Sequence, residues 1–201
     1  MNIKEDFKWI NEGKIRFEDD KIIMYAPPKT DFFCGGETTS EGGILPATLC
    51  NAPYYYTEMD CDFVLTVKVT HDFKEIYDSA SIMVMHDMVN WAKCCSELTD
   101  FRTRAAVSVV TRNNESDDAN GVEFTGQNYL WLKVCRSGRA YSFHYSLDGE
   151  KFFMTRYFLM PESKTIKVGL LAQAPTGSGS ERIYENLTIE KKTVKNIRAG
   201  E

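Results

Sequence analysis

From Asp60 onward the side chains alternate: Cys61, Phe63, Leu65, Val67 and Val69 interleave with Asp62, Val64, Thr66, Lys68 and Thr70. A period of two places alternate residues on opposite faces of an extended chain, so this stretch reads as a half-buried β-strand. Similar runs follow at Ser79–His86, Trp91–Glu97, Arg104–Thr111, Tyr129–Arg136, Arg139–Leu147, Lys151–Phe158, Thr165–Ala172 and Arg182–Lys191. Two more, Lys14–Phe17 and Lys21–Tyr25, flank an Asp19-Asp20 turn, and no stretch carries a helical stripe beyond one turn near Asp72–Asp78. Short strands parted by Gly, Asn, Asp, Ser and Pro predict an all-β sandwich or barrel.

No internal repeat or Pro/Gly/Ser-rich linker divides the 201 residues, so the expectation is one domain over 1–201, with 192–201 a polar tail. A formal charge of −5 without a basic stripe argues against nucleic acid. The acidic start Met1-Asn2-Ile3-Lys4-Glu5-Asp6 does not read as a signal peptide, and no run approaches the roughly 20 apolar residues of a membrane helix. The expected location is cytoplasmic. The six cysteines show no zinc-ligand spacing and are expected as reduced thiols, with no metal and no cofactor.

The Ser137-Gly138 pair fixes a hairpin. With both at the centre of the turn, Arg136 pairs with Arg139, Val134 with Tyr141, Leu132 with Phe143 and Leu130 with Tyr145, all on the core face. The other face then sets Trp131 across from His144, Lys133 across from Ser142 and Cys135 across from Ala140. Trp91, Lys93, Cys95 and Glu97 repeat that mixture on another strand. If the two strands share a sheet, Trp91, Lys93, Glu97, Trp131, Lys133 and His144 line one concave face, where tryptophans stack on sugar rings and polar groups hydrogen-bond to hydroxyls.

Several runs together resemble one known family: Thr30-Asp31-Phe32-Phe33, Asp78-Ser79-Ala80-Ser81-Ile82-Met83-Val84, Asn90-Trp91-Ala92-Lys93, Ser108-Val109-Val110-Thr111, Trp131-Leu132-Lys133-Val134, Tyr145-Ser146-Leu147-Asp148-Gly149 and Val168-Gly169-Leu170-Leu171-Ala172-Gln173-Ala174-Pro175. The resemblance is to the bacterial and fungal domain of unknown function that includes the yeast regulator-of-enolase protein. It implies a concanavalin A-like jelly roll of two antiparallel sheets, in the lectin/glucanase superfamily. Relatives in that superfamily bind or cleave glycans on the concave face, so the implied partner is a carbohydrate or a related small polar metabolite.

Two other functions stay open: a glycoside-active hydrolase or lyase with Glu97 as acid/base, and a non-enzymatic regulatory module docking a protein partner. Glu58, Asp60 and Asp62 would share one strand face in the manner of retaining glucanases, but Asp62 is one methylene too short for that chemistry. No Gly-x-Ser-x-Gly elbow marks a hydrolase nucleophile, and Gly35–Gly43 lacks the ending of a phosphate loop. The stretch from Gly35 to Pro53 reads instead as a lid or rim over the concave face. The polar run Asn113–Asn120 carries oxygen ligands without a calcium-loop spacing and reads as a solvated loop.

Overall fold

The computed structural model describes residues 2–35 and 48–201. Among these, two seven-stranded antiparallel sheets face each other. The first runs in the order β1 (Lys8–Ile10), β6 (Tyr54–Met59), β15 (Ile166–Gln173), β8 (Ser79–Asp87), β9 (Asn90–Leu98), β10 (Arg104–Arg112) and β11 (Glu115–Phe124). The second runs β14 (Phe153–Leu159), β13 (Ala140–Ser146), β12 (Tyr129–Ser137), β7 (Phe63–His71), β16 (Ser180–Lys191), β3 (Lys21–Ala26) and β2 (Ile15–Glu18). A small hairpin of β4 (Phe32–Cys34) and β5 (Thr48–Cys50) stands apart from both. One helical turn, Ile3–Asp6, is capped by the Asn2 side chain.

Alternation explains the core. Phe63, Leu65, Val67 and Val69 of β7 point between the sheets, where they join Leu130, Leu132 and Val134 of β12 and Ile82, Ala92, Cys94, Val168 and Leu170 from the first sheet. Their partners in sequence point outward. All six cysteines are free thiols.

The β12–β13 hairpin keeps the expected faces but changes the expected register. Ser137 pairs with Ala140, so the central turn residues are Gly138 and Arg139, and Gly138 has φ +59. A glycine at the first central position with positive φ is the primed turn that matches strand twist, whereas the sequence reading placed it second. Partners therefore shift by two: Trp131 faces Ser146, and His144 faces Lys133. An even shift leaves every side chain on its face, so Leu130, Leu132, Val134, Tyr141 and Phe143 are core as expected.

Asn113–Asn120 is not a loop. Asn113 and Asn114 both have positive φ and form a two-residue turn between Arg112 and Glu115, from which β11 runs back along β10. Asn-Asn at paired positive-φ sites is a hairpin signal. The polarity of β11 hid it, because an edge strand exposed along most of its length need not alternate. Glu58, Asp60 and Asp62 straddle the β6–β7 turn rather than sharing a strand face. The proposed lid from Gly35 to Pro53 falls largely outside the described residues.

Residues 192–201 pack against the outer face of the second sheet. Val194 joins Val64 and Cys135 in a small apolar cluster, with Ile197 beside it. Asp62 anchors the segment by accepting from the Thr193 hydroxyl at 2.8 Å, and its other oxygen accepts from the Gly138 N–H at 2.7 Å. Gly200 lies so close to the His144 ring that a Cβ there would stand 3.2 Å from it.

Candidate functional site

The six candidate residues divide between two faces. Trp91, Lys93 and Glu97 belong to β9 of the first sheet, and Trp131, Lys133 and His144 belong to β12 and β13 of the second. They do not form one surface. Strand alternation cannot say which sheet a strand joins, and here β12 pairs with β7 while β9 lies between β8 and β10.

On the second sheet the three residues are part of packing. The Trp131 indole lies against Gly149, where a Cβ would come within 2.7 Å of the ring. Lys133 sets its ammonium 3.7 Å from the Phe152 ring centroid. His144 is fully buried, with Nε2 2.8 Å from the Ser142 hydroxyl. Burial, and then the nearby Lys133 charge, lower its pKa to about 4.

That shift has a stability consequence. An unfolded histidine takes up a proton near pH 6.5, whereas folded His144 resists until about pH 4. Below pH 6.5 the unfolded state binds more protons, so stability is full above that pH and falls as the pH drops toward 4. The loss attributable to this residue is about 3 kcal/mol, taking 1.36 kcal/mol per pKa unit. Urea unfolding of the wild type and His144→Gln at pH 7 and pH 4 should show the variant lacking that part of the acid loss. Parallel pH profiles would refute the assignment.

On the first sheet, Trp91 is not an exposed platform either. It is fully buried on the outer face, edge-on to Phe32 of the β4–β5 hairpin with ring centroids 5.5 Å apart. Tyr54, Met83, Met85, Val109 and Leu171 complete this second core. The hairpin thus roofs one end of the face, and Trp91 holds it there.

Next along β9 the face opens into a cavity of about 180 Å³ lined by Lys93, Glu97, Asp31, Gln173, Asp118 and Asp100 among the polar residues. Tyr77, Phe33, Val107, Val109 and Pro175 supply its apolar walls. Lys93 is almost fully buried; its Nζ donates to Asp31 Oδ1 at 2.9 Å and to Gln173 Oε1 at 3.2 Å. Burial works against the Lys93 charge, but Asp31 leads the opposing charges and holds its pKa above the ordinary range. Asp31 is positioned in turn by the Phe32 N–H, which donates to the same oxygen at 2.8 Å.

Glu97 is 8% exposed and, among the described residues, has no hydrogen-bond partner. Burial raises its pKa well above the ordinary carboxylate value, with Lys93 opposing and Asp118, Asp31 and Asp100 adding to the rise. Its carboxyl faces the cavity. Asp100 accepts a hydrogen bond from the Tyr77 hydroxyl, and Asp118 stays exposed at the mouth. Tyr77 itself has φ +67, in the left-handed region disfavoured for side chains of its size.

Of the cavity's polar groups, Asp31, Gln173, Asp118 and Asp100 were not identified as site residues from sequence. Asp31 had a signal: a lysine on the outer face of a largely covered strand demands a counter-charge. Asp118 had none while its strand read as a loop. Among the described residues, no group of three or more His, Cys, Asp or Glu side chains is placed to hold a metal ion.

Two facing antiparallel sheets make this a concanavalin-like β-sandwich, consistent with a jelly roll. The chain belongs to the family described as protein of unknown function (DUF1349), whose family model matches residues 9–192. It is 27% identical over 185 residues to Regulation of enolase protein 1 of Saccharomyces cerevisiae, covering 90% of this chain and 87% of that one. The crystal structure of a functionally unknown S. cerevisiae protein superposes with a TM-score of 0.83 at 24% identity, over 96% of this chain and all of that one. Carbohydrate-binding module CBM66 from Bacillus subtilis superposes with a TM-score of 0.56 at 9% identity, over 92% of this chain and 95% of the module. At these identities the two structures show the fold alone. No helix among the described residues is long and apolar enough to cross a membrane.

Proposed function

We propose that the protein binds a small carbohydrate or a related polar metabolite in the cavity beside Lys93 and Glu97. The observation that carries this reading is Glu97, a carboxyl more than nine-tenths buried that faces an open cavity with no hydrogen-bond partner among the described residues. Its oxygens open onto the cavity, where a ligand hydroxyl or amine can reach them. The cavity falls below the roughly 300 Å³ at which drug-sized sites begin, so it suits a single ring rather than a chain. Val107, Val109 and Pro175 offer apolar contact to a ring face while Lys93, Gln173 and Asp31 address its hydroxyls. The fold shared with a carbohydrate-binding module supports the same reading, and the yeast relative's printed name supports a regulatory use of such binding.

Calorimetric titration with a panel of monosaccharides and polyols tests the proposal, beside Val107→Phe, which fills the cavity from its apolar wall. The wild type should bind at least one compound and the variant none, with urea midpoints confirming that both fold. A blank panel for the wild type, or unchanged binding in the variant, overturns it.

A second reading rests on the raised pKa of Glu97. A carboxyl whose pKa burial raises, lining one cavity with Asp31 and Asp118, resembles the unequal pair that glycoside hydrolysis needs. Aryl-glycoside cleavage by the wild type that disappears in Glu97→Gln would establish it, and no cleavage across α- and β-linked substrates would exclude it.

A further inference from the structure

The cavity is short of positive charge. Asp31, Glu97, Asp100 and Asp118 line it against Lys93 alone. Lys93 is already taken: Asp31 and Gln173 accept from its Nζ, and Asp31 neutralises it. An anionic ligand would have to displace Asp31 from that pair and enter among the remaining carboxyls. A metal ion finds no group of three or more ligating side chains among the described residues. Glu97 remains, buried, facing the space and unpartnered.

We propose that the ligand of this cavity is a small hydroxylated organic cation whose protonated amine docks on Glu97, the place that no side chain among the described residues fills. The inference rests on the cavity being a ligand site and adds the charge of what enters it. An ammonium beside Glu97 would offset the surplus of carboxyls there, as Lys93 does for Asp31. Burial favours a proton on Glu97 in the empty site, and to the extent that the site holds one, binding of the cation releases it and affinity rises with pH.

The test is calorimetric titration of the full chain at pH 7 with glucosamine, glucose, glucuronate and ethanolamine, each in two buffers of different ionisation enthalpy. Glucosamine should bind at least tenfold more tightly than glucose, glucuronate should bind most weakly, and the buffer comparison should show net proton release. In Glu97→Gln, which replaces the carboxyl by an amide of the same shape, the amine preference should fall below threefold and the proton release should vanish. Equal or tighter binding of glucose or glucuronate overturns the cation while leaving a sugar site standing. Ethanolamine binding with proton release, and no sugar bound, supports the cation and removes the carbohydrate. Silence from all four ligands overturns both.

Discussion

Replacing Arg182 with alanine is expected to remove about 3–5 kcal/mol of folding stability, the usual cost of stripping one partner from a buried ion pair. Arg182 is fully buried on β16, and its guanidinium lies 3.2 Å from Asp78 Oδ1, itself almost completely enclosed. Nε donates to the Ser79 carbonyl at 2.9 Å, one terminal nitrogen to the Ser180 hydroxyl at 2.5 Å and the other to the Gln173 carbonyl at 2.8 Å. The arginine therefore ties the starts of β8 and β16 to the end of β15. Alanine removes a donor from three carbonyls, those of Ser79, Gln173 and Glu181, and strands Asp78, whose contact with Arg182 is a charge pairing rather than an aligned hydrogen bond. Urea unfolding of Arg182→Ala, Asp78→Ala and the double variant measures this, with the double variant expected to be less destabilised than the sum of the singles. Additive losses would show that the pair is not coupled. Because Gln173 also accepts from Lys93, a loosened β15 end should weaken whatever the cavity binds.

Trp91→Ala should cost a comparable amount, about 3–5 kcal/mol, the range for deleting a large aromatic from a packed interior. The indole is enclosed between the β9 face and the β4–β5 hairpin, and its removal leaves Phe32 without its edge-on partner. Trp91→Phe should be milder than volume alone implies. The buried Trp91 Nε1 has no acceptor among the described residues, so phenylalanine removes an unmet donor along with the lost contacts. Urea unfolding of both variants decides between this role and an exposed stacking platform, for which Trp91→Ala would lose less than about 1 kcal/mol.

The inner faces of the sandwich were legible because alternation is a local property. β7, β9, β12 and β13 could be split into core and outer residues from their side chains alone, and those assignments hold for Leu65, Ala92, Leu132 and Phe143. The hairpin register failed by one turn position, since the position of a glycine within a primed turn depends on which turn type forms. Sheet membership was not legible at all. Whether β9 and β12 lie side by side or on opposite layers is settled by pairings distant in sequence, such as β7 with β16 and β6 with β15. The candidate site split accordingly: two of its six residues, Lys93 and Glu97, reach one cavity, while Trp131, Lys133 and His144 lie on the other sheet. Asp31 lay within a recognised run, yet its role appears only when the chain brings it within 2.9 Å of Lys93, 62 residues away.

The acidic strand β11 forms the outer edge of the first sheet, and such an edge offers unpaired backbone groups to any passing extended chain. Its alternation divides two duties: Asp117 turns toward the seam and pairs with Arg156 of β14 at 2.5 Å, while Asp118 turns toward the cavity. Glu115 and Glu123 extend the same negative charge along the strand. The side chains that set the electrical character of the cavity mouth thus also repel a second copy from adding its own strand. Removing the Asp118 charge would therefore change the cavity rim and the sheet edge together.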